Sequence, residues 1–182
     1  MTATMKATRM RHIIQDAVAR TWRDAPPRDE YAVRVCKLLE MTWAHESNGG
    51  MYARQMRYNP SSEGGAAGEF QMEMGAVRAC IIELRKWPLD SRQRIGRWIF
   101  DDPNQVDHWL DFIDEVTGFK LLVLSDKWAA VLARVYYLMR PGEIPIDNLE
   151  KAKYAKEHWN TYLGKATWQD YFDAHAKHFG GK

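Results

Sequence analysis

Apolar side chains recur every three or four positions along most of this chain, the spacing that places them on one face of an α-helix. Met10, Ile14 and Ala17 follow it near the start, and Val35 and Leu39 repeat it in the next stretch. Strand-type alternation is almost missing. The pattern predicts helices over 10–22, 28–45, 69–87, 90–100, 103–114, 126–139, 147–163 and 167–180. We therefore expect an all-α fold with little or no β structure.

No stretch has the composition of a linker, so we expect one domain over 1–182, with 1–25 as a helical N-terminal extension before the Pro26-Pro27 pair. Of the 182 residues 46% are hydrophobic, which is enough for a core without disulfides or metals. Cys36 and Cys80 are accordingly expected as buried thiols.

The charge balance limits the classes of partner. Lys and Arg total 26 and Asp and Glu total 24, which argues against a nucleic-acid partner because such proteins present a concentrated basic face. A mean hydropathy of −0.53 and the lack of about 18 consecutive apolar residues argue against membrane insertion. Asp16 and Arg20 interrupt the apolar start, so no signal peptide is expected. We expect synthesis in a cytoplasm, with delivery by another component if the protein acts outside it.

Glu46 is the most informative acidic residue. The stripe formed by Val35, Leu39 and Thr42 reaches Glu46 four positions later, just before Gly49-Gly50, which we expect to end the helix. Partial burial and the negative end of the helix dipole both disfavour a charged carboxyl there. We therefore predict a raised pKa and a side chain able to act as a general acid near neutral pH. The alternative is a Glu46 that extends past the helix end into solvent.

The residues around Glu46 form recognisable motifs. His45-Glu46-Ser47 is followed, after a loop, by Gly65 to Gln71, and 129–138 ends in Tyr136-Tyr137-Leu138. These motifs resemble those of the soluble lytic transglycosylase family, lysozyme-like enzymes that cleave the glycan strands of peptidoglycan. The resemblance implies a helical domain of the goose-type lysozyme or lytic transglycosylase kind.

A closer resemblance is to small phage-encoded proteins of the same superfamily. It is carried by three segments, 46–50, 70–73 and 159–165. There are departures from the bacterial enzymes. The separation of 25 positions between Glu46 and Gln71 is several residues longer, Glu69-Phe70 replaces the usual Leu-Met, and the glycine common in the third motif has no clear match.

The resemblance implies a role for each motif residue. Glu46 would protonate the glycosidic oxygen beside N-acetylmuramic acid and then take the proton of the sugar's own 6-hydroxyl, which gives a 1,6-anhydro product. Ser47 and Gln71 would position the substrate or the acid. Tyr137 would hydrogen-bond Glu46, with Tyr136 as the alternative. The resemblance implies no cofactor and no metal, and a partner consisting of peptidoglycan glycan strands.

Hydrolysis is the alternative reaction, and it needs a second carboxylate at a defined distance. The candidates are Glu63, Glu69 and Glu73. Glu73 closely follows Gln71 at a helix start, where it is at least as well explained as an acid that interacts with the helix dipole. The sequence leaves hydrolysis and transglycosylation open.

Aromatic and basic residues suggest further substrate contacts. Trp43 and Trp128 lie at helical spacing and are expected in the core. The candidates for stacking on sugar rings are Tyr52, Tyr58 and Trp98. Arg54, Arg57 and Arg78 could bind the carboxylates of peptidoglycan peptides. The alternative is that they are ordinary solvent-exposed surface charges.

Two other functional classes are possible for such a chain, a zinc enzyme and a structural virion protein. His175 and His178 share a helix face, but no third ligand or His-Glu-x-x-His motif accompanies them, which argues against a zinc enzyme. A phage virion or ejection protein that keeps the fold without activity is the structural alternative, with other virion proteins as its partners. An active protein would serve either as an endolysin in the periplasm or as a virion-carried enzyme.

Overall fold

The computed structural model describes residues 2–22, 29–51, 65–101, 109–160 and 165–180. These residues are mostly helical, so the all-α prediction is confirmed. The helices and strands are α1 (Ala3–Arg20), α2 (Asp29–Glu46), β1 (Ala66–Ala67), β2 (Met72–Glu73), α3 (Met74–Arg85), α4 (Leu89–Phe100), α5 (Glu115–Leu124), α6 (Asp126–Leu138), α7 (Asn148–His158) and α8 (Trp168–Phe179), with a 3-10 turn at Trp109–Asp111. None of the described helices is long and apolar enough to cross a membrane.

Helix α6 occupies the centre of the molecule. Every residue from Trp128 to Val135 is buried, and helices α1, α2, α3, α4 and α5 all pack against α6. Trp43 and Trp128 are both buried, as predicted for core residues. Helix α1 lies on α2 and α6 and buries Ile14 among its apolar residues. Helix α2 in turn packs on α7 and α8, so its C-terminal end lies between several elements.

Local capping residues determine where several helices begin. The Ser125 hydroxyl accepts from the backbone N–H of Trp128 at the start of α6, and Thr167 and Asp170 form the predicted capping box of α8. Asp114 caps α5 in the same way, accepting from the N–H of Thr117. The periodicity of the sequence did not predict α5.

The third predicted helix begins later than expected. Residues 68–71 form a turn instead, and β1 and β2 then pair with Ala66 opposite Glu73. The turn requires positive φ at Gly68 (75°) and Gln71 (48°). A Cβ at Gly68 would lie 2.6 Å from the carbonyl oxygen of Leu122, so the turn packs closely against α5. Helix α3 therefore starts at Met74.

Two other helix predictions were wrong in extent. Helix α7 was expected to end near Leu163, but it ends at His158. The backbone N–H of Trp159 donates to the carbonyl of Ala155 and completes the last turn. The described part of the helix predicted over 103–114 forms only the 3-10 turn and the Asp114 cap. The Pro26-Pro27 pair, the remainder of that helix and the predicted helix end at Gly164 lie outside the described residues.

Candidate active site

Glu46 is the last residue of α2, at the point where the chain turns sharply. The Ser47 hydroxyl donates to the carbonyl of Trp43 at 2.7 Å and accepts from the N–H of Gly50 at 2.8 Å. Gly49 has φ of 65°, and a Cβ there would overlap the ring of His178. Ser47 and the glycine pair thus end the helix tightly and fix the position of the Glu46 backbone.

The Glu46 carboxyl is largely buried and hydrogen-bonded by two residues far along the chain. The Tyr171 hydroxyl of α8 donates to Glu46 Oε1 at 2.6 Å. The Asn160 side chain hydrogen-bonds both Glu46 and Tyr171, and Lys156 lies close enough to act electrostatically. Burial raises the pKa of Glu46 to about 7, although both hydrogen bonds and Lys156 lower it. The predicted rise in pKa is confirmed.

Tyr137 does not supply the hydrogen bond expected of it. Its hydroxyl lies 2.7 Å from Thr42 Oγ1, one helical turn before Glu46. The Tyr137 ring enters the core and meets α2 at this earlier turn, so Tyr171 fills the role expected of Tyr137. Tyr137 is nevertheless close enough to Glu46 to interact with its charge. Burial raises the pKa of Tyr137 most, and a negative charge on Glu46 raises it further.

Phe70, Tyr136, Tyr137 and Trp159 form a ring cluster, called here the aromatic wall, and Tyr137 is the member on which the Glu46 charge acts. Trp159 is its centre, with ring centroids 4.9 Å from Tyr136, 5.3 Å from Tyr137 and 6.2 Å from Phe70. The next residue after Trp159 is Asn160, which hydrogen-bonds Glu46. Of these rings only Tyr136 and Trp159 are partly exposed, so they are the ones that can stack on the C–H face of a ring-shaped substrate.

The remaining predicted residues lie on the β1–β2 hairpin. The Gln71 side chain donates to the carbonyl of Gly68 at 2.8 Å and so holds its own turn. Glu73 is exposed at the N-terminal end of α3 and makes no capping hydrogen bond with its side chain. Phe70, which immediately precedes Gln71, is buried against Trp159. The hairpin thus reaches the aromatic wall through Phe70.

Glu69 belongs to a different environment. Its carboxylate accepts from Trp43 Nε1 at 2.5 Å, and burial raises its pKa. It lines a cavity of about 470 Å³ together with Lys6, Arg9 and Asp126. Glu63, the other candidate for a second carboxylate, lies outside the described residues.

Other predicted contacts are accounted for by neighbouring side chains. Trp98 lies against the cations of Arg20 and Lys127, and Arg78 forms an ion pair with Glu115. Tyr52, Arg54, Arg57 and Tyr58 lie outside the described residues.

The histidines and cysteines also have local explanations. His175 contacts Glu40, and His178 packs edge-on against Trp43. Within the described ranges no three His, Cys, Asp or Glu side chains form a metal-binding cluster. Cys80 is a buried free thiol, as predicted, whereas Cys36 is only partly buried; burial raises the pKa of both, that of Cys36 to about 11.

Sequence reasoning missed Tyr171 and the role of Asn160. The capping box at Thr167 fixes the start of α8 and hence the buried face on which Tyr171 lies. That Tyr171 meets Glu46, 125 positions earlier, depends on how α8 packs against α2. Asn160 lies in a segment that the resemblance had singled out.

Comparison of the chain with protein-family models, with curated proteins and with solved structures finds no match.

Proposed function

We propose that this protein cleaves the glycan strands of bacterial peptidoglycan at the bond from N-acetylmuramic acid to N-acetylglucosamine, with Glu46 as the proton donor. The observation that supports the proposal is a buried carboxyl with a pKa of about 7, hydrogen-bonded by Tyr171 and Asn160 and flanked by aromatic rings. The proposal includes a lysozyme-like arrangement of the helices and a phage origin, for which the motif resemblance is the support.

A carboxyl with this pKa suits both halves of the reaction. Near pH 7 about half of the molecules hold the proton, so the acid is available and its conjugate base is equally accessible. Glu46 protonates the oxygen that leaves with N-acetylglucosamine as the glycosidic bond breaks. The N-acetylmuramic acid residue then has oxocarbenium character at its anomeric carbon. The Glu46 carboxylate then removes a proton from the 6-hydroxyl, which closes the anhydro ring, or from a water, which gives hydrolysis.

Tyr171 and Asn160 stabilise the carboxylate form of Glu46 that exists between these two proton transfers. Tyr136 and Trp159, which are half-buried in the aromatic wall, are the rings we assign to sugar contact.

Substitution of Glu46 by Gln tests the proposal. The variant keeps the shape and the hydrogen-bond acceptor but has no proton to transfer, so we expect clearing of permeabilised cells to fall at least 100-fold. Glu30→Gln, which removes an exposed carboxyl at the opposite end of α2, is the control for a nonspecific loss. Clearing that survives in Glu46→Gln contradicts the assignment, and an inactive wild-type protein found in phage particles favours the structural alternative.

The mass of the products separates the two reactions. Anhydro ends are one water lighter than reducing ends. The time and place of the protein in infection separate the endolysin from the virion-carried enzyme: accumulation late in infection indicates the first, and presence in purified particles the second.

A further inference from the structure

Arg140 has an unusual position at the end of the aromatic wall. It lies just past the end of α6, where its backbone N–H is bonded to the carbonyl of Tyr137. Its guanidinium carbon lies 3.8 Å from the centre of the Tyr136 ring. Its Nε is buried without a hydrogen-bond partner. Among the ion pairs between described residues, none involves Arg140.

This arrangement is costly unless something else binds Arg140. A buried N–H without an acceptor is unfavourable, more so on a charged group, and such groups in native proteins call for an explanation. Stacking on Tyr136 holds the guanidinium plane in place while its edge keeps donors for a planar acceptor. A carboxylate matches that fork, with two parallel N–H···O bonds.

Glu73, an acidic residue that acts on Tyr136, does not supply an acceptor for Arg140. Glu73 lies near the Tyr136 hydroxyl, whose pKa burial raises most and Glu73 raises slightly, while Arg140 lowers it. Glu73 nevertheless forms no ion pair with Arg140, and its side chain is exposed. The other groups that act on Tyr136 or Arg140 are Cys80 and Tyr154, both neutral near pH 7.

Contacts connect Arg140 to the proton donor. Arg140 stacks on Tyr136, the Tyr136 ring meets Trp159, and Asn160 follows Trp159 and hydrogen-bonds Glu46. Arg140 therefore lies on the same row of contacts as the rings assigned to sugar contact.

We propose that Arg140 binds a carboxylate of the substrate, so that the site selects an acidic glycan over a neutral one. This inference rests on the proposed function. Two sources of the carboxylate share this chemistry: the lactyl group of N-acetylmuramic acid where no peptide is attached, and the peptide where one is. Arg140 is a specificity residue, since it binds the substrate away from the bond that breaks.

The test measures binding and turnover separately. Three ligands are compared: a peptide-bearing muramyl oligosaccharide, the same oligosaccharide without its peptides, and a neutral N-acetylglucosamine oligomer of equal length. Binding is followed by tryptophan fluorescence in a Glu46→Gln background, so that no ligand is consumed. Arg140→Gln is expected to weaken binding of an acidic ligand at least tenfold and leave the neutral one within twofold, and Arg140→Lys to fall between. The acidic ligand with the larger loss identifies the source.

The steady-state kinetics of cleavage provide a second measurement. In the active protein, Arg140→Gln is expected to raise KM for the acidic glycan by the same factor, with kcat within twofold. Arg78→Gln is the matched control, because Arg78 is exposed and already paired with Glu115. Glu73→Gln is expected to tighten acidic binding severalfold by removing a nearby negative charge.

Equal weakening for all three ligands would assign Arg140 a structural role, and no change for any would remove it from the site. Either result overturns the inference. Failure of the proposed function looks different, since it is an absence of cleavage by the wild-type protein. The binding preference for acidic ligands is measured independently of cleavage.

Discussion

At the residue scale, burial and hydrogen bonding act on the Glu46 proton in opposite directions. Burial favours the neutral acid, whereas the Tyr171 hydroxyl and Asn160 amide favour the carboxylate. Burial has the larger effect, so the pKa remains about 7. The two hydrogen bonds keep it from rising further, to values at which the carboxylate would be too scarce to act as a base.

The raised pKa gives Glu46 a measurable effect on stability. Below about pH 4.5, the ordinary value, folded and unfolded chains both hold the proton; between there and about pH 7 the unfolded chain loses it and the folded chain keeps it. Stability therefore falls as pH rises through this window, and the loss is complete above about pH 7. We expect Glu46→Gln to remove this loss, with a gain at pH 8 relative to pH 4 of up to about 3 kcal/mol.

Urea unfolding of the wild type and Glu46→Gln at pH 4 and pH 8 measures this difference. Glu73→Gln serves as the control, because its exposed carboxyl should leave the pH dependence of stability as it is in the wild type. A stability difference between wild type and Glu46→Gln that is the same at both pH values would show that Glu46 ionises normally.

Tyr171→Phe tests the hydrogen bond itself. The tyrosine hydroxyl donates to the carboxylate at 2.6 Å, so its removal withdraws stabilisation from the charged form and should raise the pKa of Glu46 above about 7. The measurement is a carbon NMR titration of the labelled glutamate side chains. Tyr154→Phe is the control, since that hydroxyl bonds to the carbonyl of Pro141 instead. A Glu46 titration that does not move, or moves down, contradicts the assignment of Tyr171.

At the element scale, the turn at 68–71 determines where Gln71 and Phe70 lie. Gly68 satisfies two demands, a φ of 75° and close contact with the backbone of Leu122. Gly142 satisfies only the first, because its φ is 82° and nothing lies within 4 Å of a Cβ there. This pair separates backbone strain from steric overlap.

We expect Gly68→Ala to lower the unfolding free energy by about 3 kcal/mol, from about 1 kcal/mol of backbone strain and about 2 kcal/mol of overpacking against α5. Gly142→Ala should lose only the strain. Chemical denaturation of both variants gives the comparison. Equal losses would mean that the hairpin is free to move away from α5.

The sequence predicted the helices whose apolar residues lie on one stripe, and it placed Glu46 correctly because the stripe of α2 continues to the helix end. It failed where burial did not follow that period. Phe70 is fully buried although it lies in a turn, so the apolar spacing that leads into α3 extended the predicted helix backward. Helix α5 contains the run Leu121 to Leu124, in which consecutive apolar residues hide the helical period.

Long-range contacts were beyond the same reasoning. Tyr171 is one buried tyrosine on an amphipathic helix, and nothing local distinguishes it from a core residue. Its contact with Glu46 exists because α8 packs along α2. The expected partner, Tyr137, lies one helical turn too early and bonds to Thr42 instead.

At the scale of the whole molecule, a polar cluster around the buried carboxylate of Glu40 connects α1 to α8. Glu40 of α2 accepts from Arg11 of α1 at 2.7 Å and lies 3.3 Å from His175 of α8. Burial alone would raise the pKa of Glu40, but the hydrogen bonds from His175 and Arg11 outweigh it and hold the pKa below its ordinary value. Helix α2, which carries Glu46, is thus connected by side-chain contacts to both α1 and α8.

Because α1 packs on α2 and α6 and supplies Arg11 to this cluster, we expect it to be part of the cooperative unit. Ile14→Ala, at a fully buried position, should lower the unfolding free energy by about 2–4 kcal/mol. Met5→Ala, on the exposed face of the same helix, should change it by less than about 0.5 kcal/mol. Removal of residues 1–20 should abolish the sharp thermal transition, as followed by circular dichroism. A truncated chain that still unfolds sharply at the wild-type temperature would show that α1 is an appendage and that α2 is held by α6, α7 and α8 alone.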